Sequence, residues 1–281
     1  MPAEKESIAL EQEKVKQCCA RLYESDVARL LLGDSFHPGG VRLTAKLGEL
    51  LGLGPQSRVL DLASGKGPSA IFLAEHFGCQ VLGIDYGSQN VDAANREALA
   101  NGKCNRVHFE RADAERLPVA DAAFDAVICE CAFCTFPNKA IAAGEFTRVL
   151  RPGGQVGLSD ITRGPVLPKE LDNLLAWVAC VADAQPIESY AACLRAVGLT
   201  VEYIESHDEA LIELVQQVRK KLLGAEIMVG LKKLDLRDVD FITAKQMIKD
   251  VAAAIENHQL GYAIITASKA CGSPKLEAHL K

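Results

Sequence analysis

Three thiols and a carboxylate fall within six residues at Cys129-Glu130-Cys131-Ala132-Phe133-Cys134. Cys131 and Cys134 have the spacing of half a zinc site, but the chain holds no second CxxC pair, which argues against a structural zinc. A redox pair is poorly placed too, because the motif does not open a helix in a thioredoxin-like context. Two readings remain: buried thiols packing a strand end, or a soft wall facing a thiophilic ligand. On a regular strand Cys129 and Cys131 would share one face and Glu130 would take the other.

Upstream, Val59-Leu60-Asp61-Leu62-Ala63-Ser64-Gly65-Lys66-Gly67-Pro68 reads as a strand, a glycine-rich turn and a helix start. Such a turn lets a ligand approach the backbone at a helix N-terminus. Gly83-Ile84-Asp85 then places a carboxylate at the end of the next strand, where it can accept from ribose hydroxyls. Asp85 alone could equally be a helix cap. Asp113, after a third strand, can accept from an adenine amino group. No GKS or GKT phosphate loop is present, and the missing third glycine of the dinucleotide fingerprint, with the Arg151-Pro152-Gly153-Gly154 turn, counts against a dehydrogenase.

A second glycine-rich stretch, Gly33-Asp34-Ser35-Phe36-His37-Pro38-Gly39-Gly40, cannot continue a helix. It is either a connector or a loop that folds over a ligand. In the second case His37 or Glu130 could take a proton from an acceptor, and an imidazole titrates near neutrality.

The elements that must position these groups alternate in type. Strands are expected near 58–62, 80–85, 106–109, 124–130 and 155–160, and helices near 68–77, 88–101 and 138–150. Arg151-Pro152-Gly153-Gly154 reads as the turn before the fifth strand. Near-continuous apolar strands alternating with helices predict an α/β fold, a Rossmann-like, doubly wound, mostly parallel sheet. Residues 1–55 read as a helical N-terminal segment, with Leu43, Leu47, Leu50 and Leu51 on one apolar face. A core for the ligand spans 56–207, with helix over about 168–197 and a strand near 199–205. Residues 208–258 read as a helical insertion, a cap or a dimer surface, and 259–281 hold the last strand and a tail.

Composition narrows the classes further. The 281 residues are 49% hydrophobic and carry net charge −6, from 37 acidic and 31 basic groups, so nothing suggests a nucleic-acid partner. No apolar run approaches the roughly 20 residues that span a bilayer, and the polar start of the chain is unlike a secretory signal. The expected setting is cytoplasmic, with no membrane partner, and the ten cysteines are expected to be reduced.

Over about residues 55–165 the chain resembles the class I S-adenosylmethionine (SAM)-dependent methyltransferases, with five motifs in order at the usual spacing. The resemblance implies a SAM cofactor, a small-molecule acceptor and no metal. It places Gly65 and Gly67 beside the methionine part of SAM, Asp85 on the ribose, and Asp113 with Ala114 around the adenine. Asp61, Ala63, Tyr86 and Cys129 complete the implied cofactor site.

A closer similarity runs through Cys131 to Pro137, Leu150-Arg151-Pro152-Gly153-Gly154, Ser159-Asp160, Leu167-Pro168 and Trp177-Val178-Ala179-Cys180. This order and spacing is similar to arsenite methyltransferases, in which thiols bind trivalent arsenic beside the SAM methyl group. Cys180 matches one of those thiols. The family's later thiol would fall near Thr200, and its early thiol falls in the GDSFHPGG loop, which has no cysteine. Cys18 and Cys19 could substitute only if their helix folds over the site. The expected reaction is methylation of a small soft nucleophile, a thiol, sulfide or arsenite, with His37, Glu130, Cys131 and Cys180 as the acceptor-side residues. A carbon or oxygen acceptor, as in quinone-biosynthetic enzymes, and a non-catalytic SAM- or metalloid-binding sensor are the alternatives.

Overall fold

The computed structural model describes residues 2–24, 30, 33, 37–103, 105–164, 183–234, 236 and 240–271. Seven strands form one sheet: β1 (Arg58–Leu62), β2 (Gln80–Asp85), β3 (Val107–Arg111), β4 (Phe124–Glu130), β5 (Leu150–Arg163), β6 (Leu199–Ser206) and β7 (Leu260–Lys269). Their order is β3-β2-β1-β4-β5-β7-β6. β1 to β5 pair in parallel, and β7 runs antiparallel between β5 and β6. The central strands are apolar runs because both faces are covered: Val59, Leu60, Leu62, Val127, Ile128 and Cys129 are all fully buried.

Among the described residues the α-helices are α1 (Pro2–Glu24), α2 (Gly40–Leu50), α3 (Pro68–Phe77), α4 (Ser88–Ala100), α5 (Lys139–Val149), α6 (Ile187–Ala196), α7 (Asp208–Gly230) and α8 (Phe241–Glu256). Leu43 and Leu47 of α2 are buried, and Leu47 fills the space above Gly157 of β5, where a Cβ would lie 2.8 Å from its Cδ1. This close packing brings α2 up to the carboxyl end of β4. In an open α/β sheet ligands bind outside the carboxyl ends of the strands, where the strand order reverses. Here that point lies between β1 and β4.

Two expectations need correction. β5 begins at Leu150, directly after α5, so Arg151-Pro152-Gly153-Gly154 lies inside the strand. The pairing with β4 shifts register between Phe124 and Ala126, and Gly153 takes φ 78°, so the segment is a bulge where a turn was expected. β3 runs on to Arg111, two residues beyond the expected end. The expected helix over 168–197 is seen as α6 from Ile187, and residues 165–182, with Leu167, Pro168, Trp177 and Cys180, lie outside the described residues.

Candidate active site

β1 delivers Asp61 to the floor of a cavity of about 150 Å³, which Ala63, Ser64 and Gly65 also line. The loop can turn so tightly because Ala63, Gly65 and Gly67 all adopt left-handed backbone, with φ of 56°, 55° and 84°. Only glycine does so without strain. Gly67 precedes α3 without any side-chain cap, so the helix opens with free N–H groups at the cavity. A Cβ on Gly67 would lie 2.3 Å from the Phe109 ring.

Asp85 ties the two strand ends together. Its Oδ2 accepts from Gly65 N at 2.8 Å, and its Oδ1 accepts from Gly87 N at 2.8 Å and Asn90 Nδ2 at 3.3 Å. Burial pushes its carboxyl above the usual range despite these bonds. Asp61 is pushed well above it, first by burial and then by the Glu130 and Asp85 charges. Asp61 Oδ2 and Ser64 Oγ are buried without a hydrogen-bond partner. Such orphaned groups are costly unless a ligand completes them.

On the acceptor side, His37 is buried at the start of α2. Its Nδ1 lies 3.3 Å from Pro38 O, an atom that can only accept, and the tautomer that uses this contact carries its proton on Nδ1. Nε2 is left 3.2 Å from Ser69 Oγ and 3.5 Å from Glu130 Oε2. Thr44 Oγ1 donates to the Glu130 carboxylate, whose oxygens lie 3.2 and 3.1 Å away. A neutral His37 therefore presents a lone pair at Nε2, and a protonated one faces a carboxylate. Thr44 and Ser69 were not picked out from sequence: each is a single hydroxyl on an otherwise ordinary helix.

α1 closes the cavity from above. Lys16 bonds Asp113 at 2.7 Å and Glu115 at 2.6 Å, and Tyr86 OH donates to Glu13. Lys16, Cys19, Ala20 and Tyr23 thus join the lining. Of the expected residues, Asp61, Ala63, Gly65, Asp85, Tyr86, Asp113, Ala114, His37, Glu130 and Cys131 all line this one cavity. Gly67 stands behind it as the helix cap.

Cys129 does not reach the cavity: it is fully buried, and burial pushes its thiol well above the ordinary range. Nor do Cys129 and Cys131 share a strand face. β4 ends at Glu130, and Cys131 takes φ 52°, which breaks the alternation and lets Glu130 and Cys131 face the same space. Cys134 is buried, with its N–H donating to Asp160 Oδ2 at 2.9 Å. Among the described residues, no cluster of three His, Cys, Asp or Glu could hold a metal ion.

Residues 59–154 match the family described as a methyltransferase domain. The 27-O-demethylrifamycin SV methyltransferase of Amycolatopsis mediterranei is 29% identical over 87% of this chain and 93% of its own. The arsenite methyltransferase of Halobacterium salinarum is 31% identical over 69% of this chain, which spans about half (52%) of that protein. Among solved structures, the [4+2]-cyclase SpnF superposes with TM-score 0.64 at 26% identity, covering 82% of this chain and 81% of that one. Other neighbours of the same fold were solved with S-adenosylmethionine or S-adenosylhomocysteine.

Proposed function

For this chain, which is a SAM-dependent methyltransferase of the class I fold, we propose that the acceptor is a small, uncharged molecule reacting through an S–H or O–H group. The observation that carries this reading is the His37–Glu130 pair, whose Nε2 and carboxylate face the same cavity as the orphaned Asp61 and Ser64 atoms.

The residues present suit a cationic cofactor. Asp61, Asp85, Asp113, Glu115 and Glu130 line the cavity against two lysines, and Lys16 is already engaged by two of these carboxylates. Asp61 and Asp85 would hold SAM at its ammonium and ribose ends. When bound, SAM supplies a methyl group on a sulfonium that leaves as a neutral thioether. The excess of carboxylates disfavours phosphorylated or carboxylated acceptors, whose charge no arginine among the described residues lining the cavity would meet.

The chain's own part is to position and deprotonate. His37 Nε2 takes the proton as the X–H bond breaks and X–CH3 forms. The resulting imidazolium is met by Glu130, which Thr44 holds in place. Ser69 supplies a hydroxyl to Nε2 while it is neutral.

A sulfur acceptor is the first reading, because the thiols of Cys19 and Cys131 line the cavity walls. A hydroxyl acceptor is the second, supported by a relative named for transfer to an oxygen. Incubation with SAM and, in turn, a small thiol, sulfide, a small phenol, arsenite and a phosphorylated amine tests it, with products read by mass. Methylation of the phosphorylated amine alone would sink the proposal.

A further inference from the structure

α7 is apolar on two opposite sides. Leu222 and Ala225 are buried inward, yet Leu223, Ile227 and Leu231 follow each other at four-residue spacing on the outer side. Ile227 is 63% exposed and Leu231 60%. An exposed apolar stripe on the outer side of a helix marks a face for a partner surface.

The stripe continues onto α8. Lys245 Nζ bonds Glu226 Oε1 at 2.7 Å, which sets the start of α8 beside the end of α7. Ile242, one turn before Lys245, is 79% exposed at this same end, and Met228 is exposed there too. Towards this end of the helical pair the apolar side chains of Ile227, Met228, Leu231 and Ile242 are all exposed.

Basic residues frame the cluster. Between positions 219 and 233 stand Arg219, Lys220, Lys221, Lys232 and Lys233 against one acid, Glu226, in a chain whose net charge is −6. All five are exposed, and Lys221 reaches towards Gly33. Glu226 is committed to Lys245, and none of the five has an ion pair among the described residues.

We propose that the α7–α8 tip is a docking surface for an anionic lipid layer. Its isoleucines and leucine would enter the headgroup region while Arg219, Lys220, Lys232 and Lys233 meet phosphate charges. Charge decides between occupants. A two-fold contact between copies through this face would bring one basic patch against the same patch of the other copy. No helix among the described residues is long and apolar enough to cross a membrane, so the contact is peripheral. The sequence alone suggests no membrane partner, with the helical insertion a cap or a dimer surface, so the proposal departs from that expectation.

Cosedimentation of the full chain with vesicles tests the proposal, comparing phosphatidylcholine alone with phosphatidylcholine containing one-third phosphatidylglycerol. The expected result is at least tenfold more protein on the anionic vesicles, falling to the neutral level at high salt. Lys232→Glu with Lys233→Glu should abolish the difference, and so should Ile227→Ser with Leu231→Ser and Ile242→Ser. SAM affinity and far-UV circular dichroism should stay unchanged in both variants. Equal recovery on both vesicle types overturns the proposal. So does a wild-type dimer in sedimentation velocity that the serine variant converts to monomer.

Discussion

His37 Nε2 faces Glu130 Oε2 at 3.5 Å across the acceptor side of the cavity, with only about one-fourteenth and one-twenty-fifth of their side chains exposed (7% and 4%). The two residues come from different parts of the chain: His37 lies three residues before α2, and Glu130 ends β4. Between them they supply a proton acceptor and the charge that stabilises its protonated form.

Removing the acceptor should therefore separate chemistry from cofactor binding. We expect His37→Ala to lower kcat by about 10²–10⁴ while SAM affinity stays within about threefold. Glu130→Gln should lower kcat less and move the acidic limit of the rate to lower pH, because the imidazolium loses its carboxylate partner. Thr44→Val should mimic Glu130→Gln in direction, and Thr44→Ser should restore the wild-type pH profile, which a merely packing role would not require. Rate measurements from mildly acidic to mildly basic pH check all four variants. A His37→Ala enzyme with unaltered kcat would return His37 to an ordinary loop residue.

Asp61 makes cofactor binding pH-dependent. Its carboxyl is raised well above 3.8 by burial and by Glu130 and Asp85. A bound cation favours the ionised form and pulls that value down, so binding releases a proton. SAM affinity should thus rise with pH until the raised value in the free protein is passed, then level off. Calorimetry in buffers of different ionisation enthalpy reads the released proton directly. Asp61→Asn should flatten the dependence. It should also stabilise the free protein at neutral pH, because a raised carboxyl costs nothing below its unfolded value and its full penalty only above its folded one. No proton release by the wild type would remove Asp61 from the cofactor site.

Gly67 tests the loop that shapes the site. Its φ of 84° disfavours any Cβ, and the added atom would stand 2.3 Å from the Phe109 ring. Gly67→Ala should cost at least about 1–2 kcal/mol from backbone strain, with more from the displaced ring. It should also weaken SAM binding, since the N-terminus of α3 moves with it. Urea unfolding and calorimetry measure the two effects. A variant of wild-type stability would show that the loop relaxes freely.

The parallel core was legible because its signals are local. β1, β2 and β4 match their expected limits, since strands buried on both faces give short apolar runs with clear ends, such as Gly83-Ile84-Asp85. The loop residues around Asp61, Gly65 and Asp85 were legible for the same reason. The covering of the site by α1 was not. It depends on ion pairs such as Lys16 to Asp113, 97 residues apart, which leave no periodicity in a mostly polar helix. Cys131 misled because the alternation rule assumes a strand that continues, and its left-handed backbone ends it. Thr44 sits between Leu43 and Leu47 on an apolar face, where one hydroxyl looks like packing until its partner Glu130 is seen.

The position of Cys19 decides how the two soft-acceptor readings can be told apart. With α1 over the site, Cys19 lines the same cavity as Cys131, the substitution the sequence allowed only if that helix folded back. Trivalent arsenic needs two or three thiolates converging on it, whereas a thiol or sulfide acceptor needs a shaped space and a proton acceptor. Cys19→Ser with Cys131→Ser changes volume little but exchanges soft ligands for hard ones. If the cysteines only line the cavity, methylation of a thiol should persist within about tenfold, about 1.4 kcal/mol of barrier. If they chelate, arsenite binding and methylation should both collapse while SAM binding survives. Both side chains are only half-buried, so the serine hydroxyls can reach water and the variant should fold. We expect the first outcome, because His37 and Glu130 supply a proton acceptor that chelated arsenic would not use. Loss of thiol methylation in the folded double variant, with His37 intact, would show that the cysteines do more than line the wall.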